Sequence, residues 1–460
     1  MGRPFWIGRL LAGLSLVVLV GGCSSSTPTP TSNAPGTTTP SRGPTLQVVG
    51  STAHVPEPNG TDDTAHIQAA LDACVAHGAG CTVQLQTGTY RTRQLVAYDF
   101  QGTLKGASPD GTIIGALPAL RVSAPDAFVG GECMPNLTDC LWPSLIILVD
   151  GDIAVSDLSI HVTATDGQAT APYLIGGSAF TSLVDALRFM GRHPTDVAVD
   201  RVAVGGRHDT ADTRLDGFNL VNGILYAGEL PRSSTPFDYY TLNGSFAVRA
   251  SSFTSMDEGV AADGFLTSVT GTIGGSPSAG NHFGDVNAGI QLAPAESSAF
   301  DVSYDTSSAI ANDLWMGPWQ PAFAPSSPSQ YDIHDNTFGA AGIRLQDDAA
   351  HRWIDATISH NTITVQAPHT EGIGVHDATD TAISGNTITG TAGHDAVGVY
   401  GATGGSVSGN DLTSLTLNPG GTRAQIHLNR DRAMNMVVCL GPADTVLDQG
   451  MRNAVVGCKQ

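Results

Sequence analysis

The sequence predicts an all-β solenoid, in which one short unit is stacked on copies of itself along a single axis. The first observation is a phrase of the type Ile-Ser-x-Asn-x-Ile that recurs near the C-terminus. Its copies lie at residues 333–338, 358–363, 383–388 and 407–412, and their asparagines are 25, 25 and 24 residues apart. A fixed period of this length is typical of repeat architectures, because one unit cannot bury its apolar face alone.

The second observation is the alternation of aliphatic and variable residues in short segments. Each late coil also carries a segment of the type Gly-Ile-x-Val. Alternation with period two places the aliphatic side chains in a core and the variable side chain outside. Before the regular repeats, strands are predicted at residues 153–160, 197–204, 246–253, 260–262, 290–292 and 300–304.

The third observation is the recurring asparagine itself. Asn361, Asn386 and Asn410 are predicted to form a stacked amide ladder at a bend, where the side chains bond to one another or to the backbone. This structural interpretation is preferred over a catalytic one. With 55 glycines and 14% charged residues, the body of the chain can bury a long core.

In chain order, the first predicted element is a lipoprotein signal peptide at residues 1–22. Arg3 and Arg9 precede an apolar run at residues 10–20, which is too short to span a membrane. The following Val-Gly-Gly-Cys resembles a bacterial lipobox, so cleavage before Cys23 and lipidation of its sulfur are expected. An ordinary signal peptide is the alternative. The mature chain is therefore expected to be exported and anchored to the extracytoplasmic face of the cell membrane.

Residues 23–44 are predicted to be a linker, because they are almost wholly Ser, Thr, Pro, Gly and Asn and have little to bury. The folded domain is predicted to occupy residues 45–460. Its first element is an amphipathic helix at residues 62–75, with Gly78 after its end. The apolar residues at helical spacing are Ile67, Ala70, Leu71, Cys74 and Val75.

The order of elements that opens the domain resembles a known family. Asp-Asp-Thr-Ala-His-Ile-Gln at residues 62–68 begins the helix, a strand at residues 82–85 follows, and Gly-Thr-Tyr comes at residues 88–90. This order resembles the opening of the pectate-lyase-like superfamily of single-stranded right-handed parallel β-helix proteins. The resemblance implies that the helix caps the first open coil, whose uncovered edge would invite aggregation.

The cysteines agree with export. Without Cys23, six remain, and an oxidising compartment favours disulfides between them. Six cysteines allow 15 connectivities, and a metal site is the weaker interpretation because no Cys-x-x-Cys or Cys/His cluster is present. The expected local pairs are Cys74 with Cys81, Cys133 with Cys140, and Cys439 with Cys458.

Two stretches interrupt the regular pattern. Apolar residues at helical spacing predict a decorating helix at about residues 179–192. Residues 313–330 are rich in proline and carry Trp315, Trp319 and Phe323. This stretch is predicted to be a loop whose rings either stack on sugar faces at a groove or pack the loop onto the coil.

Aligning the Gly-Ile-x-Val segments places their outward residues in two columns. Successive coils lie about 4.8 Å apart, so each column is a ladder of neighbouring side chains. The alignment is firm from Arg344 onward and looser before it, because a further coil could lie within the tryptophan-containing stretch. The first column holds Gln291, Arg344, Gly374, Gly398 and His427, and the second holds Asp263, Ala293, Gln346, His376, Tyr400 and Asn429.

Three aspartates, Asp347, Asp348 and Asp377, directly follow the second column. Carboxylates one coil apart would lie about 5 Å from each other, near enough to couple their titrations and divide acid and base roles. A separation of about 5–5.5 Å also matches retaining sugar hydrolysis. Solvated turn residues give the same pattern, so the structural interpretation stays open.

The phrase Gln-Asp-Asp at residues 346–348 resembles an element of the polygalacturonase-like hydrolases. Lyases of the same superfamily neutralise a uronate with a cation or paired groups and use a basic residue, often arginine, as the base. The resemblance therefore implies a polysaccharide lyase or a glycoside hydrolase. Asp347, Asp377 and His376 are the acid or base candidates. Arg344 is the anion or base partner, and calcium held by carboxylates is the metal that this arrangement allows.

Polysaccharide is thus the expected partner, and the competing hypothesis is a non-catalytic surface module such as an adhesin or structural protein. A formal charge of −21 disfavours nucleic acid. Nucleotide, flavin and zinc cofactors are not expected, because their motifs are missing. The side chains expected to line the substrate path are Gln346, Tyr400, His427, Asp263, Trp315 and Trp319.

Overall fold

Short alternating segments form the strands of this chain, and each strand pairs with its equivalent one coil away. The computed structural model describes residues 46, 48–117, 144–162, 173–175, 178–180, 183–208, 219–228, 242–263, 266–293, 297–317, 328–339, 341–346, 354–366, 371–376, 378–392, 395–400, 405–412, 415–417, 426–428, 436–438, 446–448 and 453–456. Among the described strands, every pairing is parallel except β1 (Val48–Val49) with β2 (Thr52–His54) and β9 (Tyr173–Ile175) with β10 (Ser178–Phe180). The fold is the predicted right-handed parallel β-helix.

The remaining elements follow in chain order. They are α1 (Thr64–His77), β3 (Cys81–Gln84), β4 (Gly88–Thr92), β5 (Leu95–Tyr98), β6 (Gly102–Lys105), β7 (Thr112–Ala116), β8 (Ser144–His161), β11 (Leu183–Gly205), β12 (Leu220–Gly228), β13 (Leu242–Arg249), β14 (Ser252–Asp263), β15 (Leu266–Gly274), β16 (His282–Ala293), β17 (Ala299–Ser303), β18 (Thr306–Ser308), β19 (Asn312–Met316), β20 (Ser329–His334), β21 (Thr337–Phe338), β22 (Ile343–Gln346), β23 (Ile354–Ser359), β24 (Thr362–Val365), β25 (Glu371–His376), β26 (Thr379–Ser384), β27 (Thr387–Ala392), β28 (Asp395–Tyr400), β29 (Ser406–Ser408), β30 (Leu415–Leu417), β31 (Ile426–Leu428), β32 (Met436–Val438), β33 (Val446–Asp448) and β34 (Ala454–Val456).

Three parallel faces run along the solenoid axis. Long strands such as β8, β11, β14 and β16 bend and contribute to more than one face. The first face continues through β17, β20, β23, β26 and β29, and the second through β18, β21, β24 and β27. The third face, which carries the predicted site, continues from β16 through β19, β22, β25, β28 and β31.

Aliphatic side chains stack inside the solenoid, as the period-two alternation predicts. On the third face, Ile290, Leu314, Ile343 and Ile373 are register partners on successive coils, and all are buried. Aromatic rings stack in the same way, and the centroids of Phe253 and Phe283 are 5.1 Å apart. The core is therefore one continuous column built from like side chains.

The predicted amide ladder is present at the bend between the first and second faces. The side-chain nitrogen of Asn336 donates to Oδ1 of Asn361, Asn361 donates to Asn386, and Asn386 donates to Asn410, each at 2.9 Å. The residue before Asn361, His360, has a positive φ of 55° at this bend between β23 and β24. These asparagines are buried, so their role is structural.

Helix α1 covers the first coil, as predicted, and buries Ile67 and Leu71. Gln68 of this helix forms two hydrogen bonds with the backbone of Val96. Its side-chain nitrogen donates to the Val96 carbonyl at 2.7 Å, and its side-chain oxygen accepts from the Val96 N–H at 3.0 Å. The helix thereby satisfies backbone groups at the edge of β5. The structure describes no helix long and apolar enough to cross a membrane.

The Cys74–Cys81 disulfide is formed, with Cα atoms 5.3 Å apart. The other two predicted pairs, Cys133 with Cys140 and Cys439 with Cys458, lie outside the described residues. Cys23 lies outside them as well. The pairing of these four cysteines and the lipidation of Cys23 stay predictions.

The helix predicted at residues 179–192 is wrong, because strands β10 and β11 occupy this stretch. In β11, Leu187 and Phe189 point into the core, while Arg188 and Met190 point outward and are buried as well. Burial on both faces removes the alternation, and a continuous apolar run does not distinguish strand from helix.

Two further boundaries differ from the sequence prediction. The strand predicted at residues 246–253 divides into β13 and β14, with Ala250 at φ of 47° between them. The loop predicted at residues 313–330 begins as strand β19 and ends in β20. Trp315 lies in register between Gln291 and Arg344, so this stretch does contain a further coil.

Candidate functional site

The two predicted outward columns exist on the third face. Strand register places Gln291, Trp315 and Arg344 on successive coils, followed by Gly374 and Gly398. The second column lies two residues later in each strand. There Gln346, His376 and Tyr400 lie in register on successive coils. Trp315 therefore belongs to the first column, although the sequence alignment had not placed it there.

Two carboxylates that the sequence analysis missed lie at the start of these strands. Glu371 opens β25, Asp395 opens β28, and the two residues are register partners on neighbouring coils. Their signal in the sequence is an acid in the position just before the Gly-Ile-x-Val segment, as in Glu371-Gly-Ile-Gly-Val-His376. The same position holds Glu258 in β14 and Asp185 in β11.

The two carboxylates, His376 and Tyr400 form one cluster. The Tyr400 hydroxyl donates to Oδ2 of Asp395 at 2.7 Å, and Asp395 is fully buried. Oε2 of Glu371 is 3.8 Å from Nε2 of His376, with side chains 14% and 28% exposed respectively. The rings of His376 and Tyr400 stack with centroids 4.8 Å apart and planes 24° apart.

Glycines in the first column make room for this cluster. A Cβ atom at Gly374 would lie 2.2 Å from Oε2 of Glu371, and one at Gly398 would lie 2.4 Å from Cε2 of Tyr400. Both contacts are closer than real side chains allow. The Glu371 carboxylate and the Tyr400 ring therefore lie across the strands, and a larger residue at Gly374 or Gly398 would force them to move.

Tyr400 is held in its protonated form. Burial raises the pKa of its phenol far above the ordinary range, and the negative charge of Glu371 and the hydrogen bond to Asp395 act in the same direction. At neutral pH the side chain is therefore protonated and acts as a hydrogen-bond donor. The cluster places this donor beside the imidazole of His376.

Arg344 supplies a positive charge on the neighbouring coil. Its Nη2 donates to Oε1 of Gln346 at 3.3 Å, and its Nε is buried without a hydrogen-bond partner. Within the described residues the guanidinium forms no ion pair, although the chain carries twice as many acidic as basic residues. An arginine in this state is suited to bind an anionic group of a ligand.

Some predicted site residues are not described. Asp347, Asp377 and Trp319 lie outside the described residues, and of His427 only the backbone is described. The described residues contain no group of three or more His, Cys, Asp or Glu side chains placed to hold a metal ion. The calcium prediction, which depends on Asp347 and Asp377, stays a prediction.

Asp263 lies apart from the cluster. It occupies the second column but is several coils away from His376, beside Ala227 and Ala293. The structure therefore brings His376 and Tyr400 together, places Arg344, Gln346 and Trp315 on adjoining coils, and leaves Asp263 upstream.

A second polar group lies upstream on the same face. Oδ2 of Asp185 accepts from the Ser144 hydroxyl at 2.6 Å and from Nη1 of Arg188 at 2.8 Å. Oδ1 of Asp185 accepts from Nδ2 of Asn222 at 2.7 Å. All four residues are buried, so this group is a buried ion-pair network.

No protein-family model and no curated protein matches the chain. Several solved structures are similar in architecture. DFA-IIIase from Arthrobacter chlorophenolicus A6 without its lid has 10% identity and a TM-score of 0.49, covering 88% of this chain and 98% of that one. The A-module of mannuronan C-5 epimerase AlgE6 from Azotobacter vinelandii has 14% identity and a TM-score of 0.46, covering 87% and 95%.

PfbA, a surface adhesin of Streptococcus pneumoniae, has 12% identity and a TM-score of 0.44, covering 88% of this chain and 91% of that one. These neighbours are right-handed parallel β-helix proteins of the pectate-lyase-like superfamily. At such identities the similarity concerns the fold and assigns no activity. The chain is a right-handed parallel β-helix protein.

Proposed function

We propose that this protein binds an acidic polysaccharide along the third face and cleaves it by β-elimination. The observation that carries the proposal is the cluster of Glu371, His376, Asp395 and Tyr400 next to Arg344. It combines a proton donor, a proton acceptor and an anion-binding group on adjoining coils. Elimination from a uronate requires these three functions.

The proposed step uses each group at one atom. Arg344 pairs with the uronate carboxylate and withdraws charge from it. The imidazole of His376 takes the proton from the carbon next to that carboxylate, and the released electron pair forms a carbon–carbon double bond. The bond to the leaving sugar oxygen breaks, and this oxygen receives the Tyr400 proton. The imidazolium proton then returns to the phenolate through solvent, which restores both groups.

Elimination fits the described residues better than hydrolysis does. A glycosidase needs two carboxyl groups that reach the substrate. Asp395 is fully buried and accepts the Tyr400 hydroxyl, so within the described part of this cluster only Glu371 offers a partly exposed carboxylate. Asp395 thus positions Tyr400, and Glu371 faces the imidazole that accepts the proton.

The proposed location follows from the sequence. The short apolar run at residues 10–20, the lipobox-like end at Cys23 and the polar linker support an exported protein tethered to the outer side of the cell membrane. A lipid tether would keep the third face near extracellular or cell-wall polysaccharide. Mass spectrometry of the mature N-terminus tests lipidation directly.

The test of function is a panel of neutral and acidic polysaccharides incubated with the native chain, with and without calcium. Ultraviolet absorbance measures unsaturated products, and a reducing-end assay measures all cleavage. We expect unsaturated products from an acidic glycan and a large loss with Glu371→Gln. Asp332→Asn, an exposed acid on the first face, is the matched control and should retain activity.

Two outcomes would contradict the proposal. Retention of a glycan without either product would favour a non-catalytic binding module. Reducing ends without unsaturated products would favour a hydrolase.

A further inference from the structure

One position of the buried ladder holds an acid instead of an amide. The ladder begins upstream of the regular repeats and passes through Ser251, Asn281, Asp305, Asn336 and the later asparagines. Asp305 lies in the phrase Val-Ser-Tyr-Asp-Thr at residues 302–306, which otherwise matches the recurring Ile-Ser-x-Asn-Thr. Asp305 is fully buried.

The amide geometry of the ladder is the same at each asparagine. Nδ2 of Asn336 donates to Oδ1 of Asn361 at 2.9 Å and to the Val302 carbonyl of the preceding coil at 2.8 Å. Nδ2 of Asn361 donates in the same way to Asn386 and to the Ile333 carbonyl. Each side-chain nitrogen thus lies between two oxygen acceptors.

Asp305 has no nitrogen to place there. Its Oδ1 accepts from the backbone N–H of Asn281 at 2.7 Å and from the Asn281 side chain at 2.9 Å. Its backbone N–H donates to Oδ1 of Asn336 at 2.9 Å, as in the other coils. Because Oδ1 fills the acceptor position, Oδ2 is the atom that replaces the amide nitrogen of an asparagine. The equivalents of the two acceptors of that nitrogen are Oδ1 of Asn336 and the carbonyl of Ile273, the register partner of Val302. This Oδ2 is buried without a hydrogen-bond partner.

An ionised carboxylate is unstable in this position. Oδ2 of Asp305 would then be a charged acceptor beside two other acceptors, Oδ1 of Asn336 and the Ile273 carbonyl. An unpaired buried charge is costly. A proton on Oδ2 would supply the donor that the amide supplies elsewhere in the ladder. A protonated carboxyl group has the shape and the donor of an asparagine amide.

The charged groups near Asp305 do not stabilise its ionised form. Asp301 on β17 carries a like charge, with a side chain 46% exposed. His334 on β20 is directed to Asp301 and Asp335, and His282 on β16 bonds to Thr306. Among the described residues, Asp305 forms no ion pair.

We propose that Asp305 is a proton-dependent joint of the solenoid, protonated in the closed ladder and opening the ladder between the coils of Asn281 and Asn336 when it ionises. The pKa of Asp305 agrees with this role: burial raises it to about 7, the charge of Asp301 acts in the same direction, and the hydrogen bonds from Asn281 oppose the shift. The joint therefore responds close to neutral pH.

The joint connects to the third face through the chain. The coil that contains Asp305 continues into β18 and then β19, which carries Trp315 beside Arg344. Loosening of this coil would shift Trp315 relative to Arg344. The inference does not depend on the proposed activity, because it concerns the stability of the ladder itself.

The sign of the pH effect follows from linkage. The folded chain holds the proton of Asp305 up to about pH 7, whereas an unfolded aspartate releases it near pH 4. The folded state therefore binds more protons in this window, and the contribution of Asp305 to stability falls as pH rises from about 4 to 7. Above about pH 7 the contribution of Asp305 to stability is fully lost.

Thermal unfolding of the native chain and of Asp305→Asn between pH 4 and 8 tests the proposal. The variant restores an amide, so the difference between the two midpoints should be small at pH 4 and should grow in favour of the variant up to about pH 7. Infrared spectroscopy of the native chain should show a protonated carboxylic acid that is lost near pH 7 and is absent in Asp305→Asn. Asp301→Asn should move this loss to lower pH.

A midpoint difference that does not change with pH would overturn the proposal. Absence of the acid band at pH 6 would overturn it as well. The infrared measurement on the native chain decides the question even if Asp305→Asn folds poorly.

Discussion

Acidic residues occupy the same strand position in two regions of the third face, but their surroundings differ between the two regions. Upstream, Asp185 accepts from Ser144, Arg188 and Asn222, and the whole group is buried. Downstream, Asp395 accepts from Tyr400, while Glu371 remains partly exposed beside His376. The fold supplies the same position on every coil, and the neighbouring side chains decide its role.

The comparison indicates how a repeat architecture separates structure from chemistry. Upstream, both oxygens of the acid accept hydrogen bonds from buried side chains. Downstream, glycines at Gly374 and Gly398 clear the strand surface and let Glu371 and Tyr400 lie across it. The upstream network is therefore expected to matter for stability, and the downstream cluster for activity.

Tyr400→Phe should have the largest effect. The substitution removes the hydroxyl that acts as the proton source and leaves the ring stack with His376 in place. Turnover on the acidic glycan should fall about 10²–10⁴-fold, the usual contribution of general acid catalysis. Initial rates of unsaturated-product formation measure it, with Tyr98→Phe on β5 of the same face as the control. Equal rates for the two variants would place the proton source elsewhere.

Asp185→Ala should have the next largest effect, on stability. Its removal takes away the carboxylate that pairs with the buried Arg188, and breaking a buried ion pair costs about 3–5 kcal/mol. Glu371→Gln should change the free energy of unfolding by less than about 1 kcal/mol, because its pairing with His376 is long and partly exposed. Denaturant unfolding compares the two variants. Similar losses in both would remove the distinction between the regions.

Much of the architecture could be predicted from the sequence. The 25-residue period, the aliphatic alternation and the asparagine of each coil together determine the coil length, the core and the ladder, because each is a local pattern repeated in register. The helix predicted at residues 179–192 failed because β11 is buried on both faces, which removes the period-two signal.

The candidate site could be predicted only in part. The columns with Arg344, His376 and Tyr400 followed from alignment of the Gly-Ile-x-Val segments. Glu371 and Asp395 precede those segments, and an acid before a glycine or alanine has the composition of a turn. Their approach to His376 and Tyr400 depends on side chains that cross the strand over glycine, and alternation alone does not reveal it.

The most direct test of the central claim is product analysis after cleavage of an acidic glycan in water enriched in the heavy oxygen isotope. The acid–base cluster predicts unsaturated ends, because elimination takes no oxygen from water to form the new bond. Mass spectrometry should therefore show the non-reducing end one water lighter than a hydrolytic product, with no isotope incorporated at cleavage. Saturated products that carry the solvent oxygen would contradict the account.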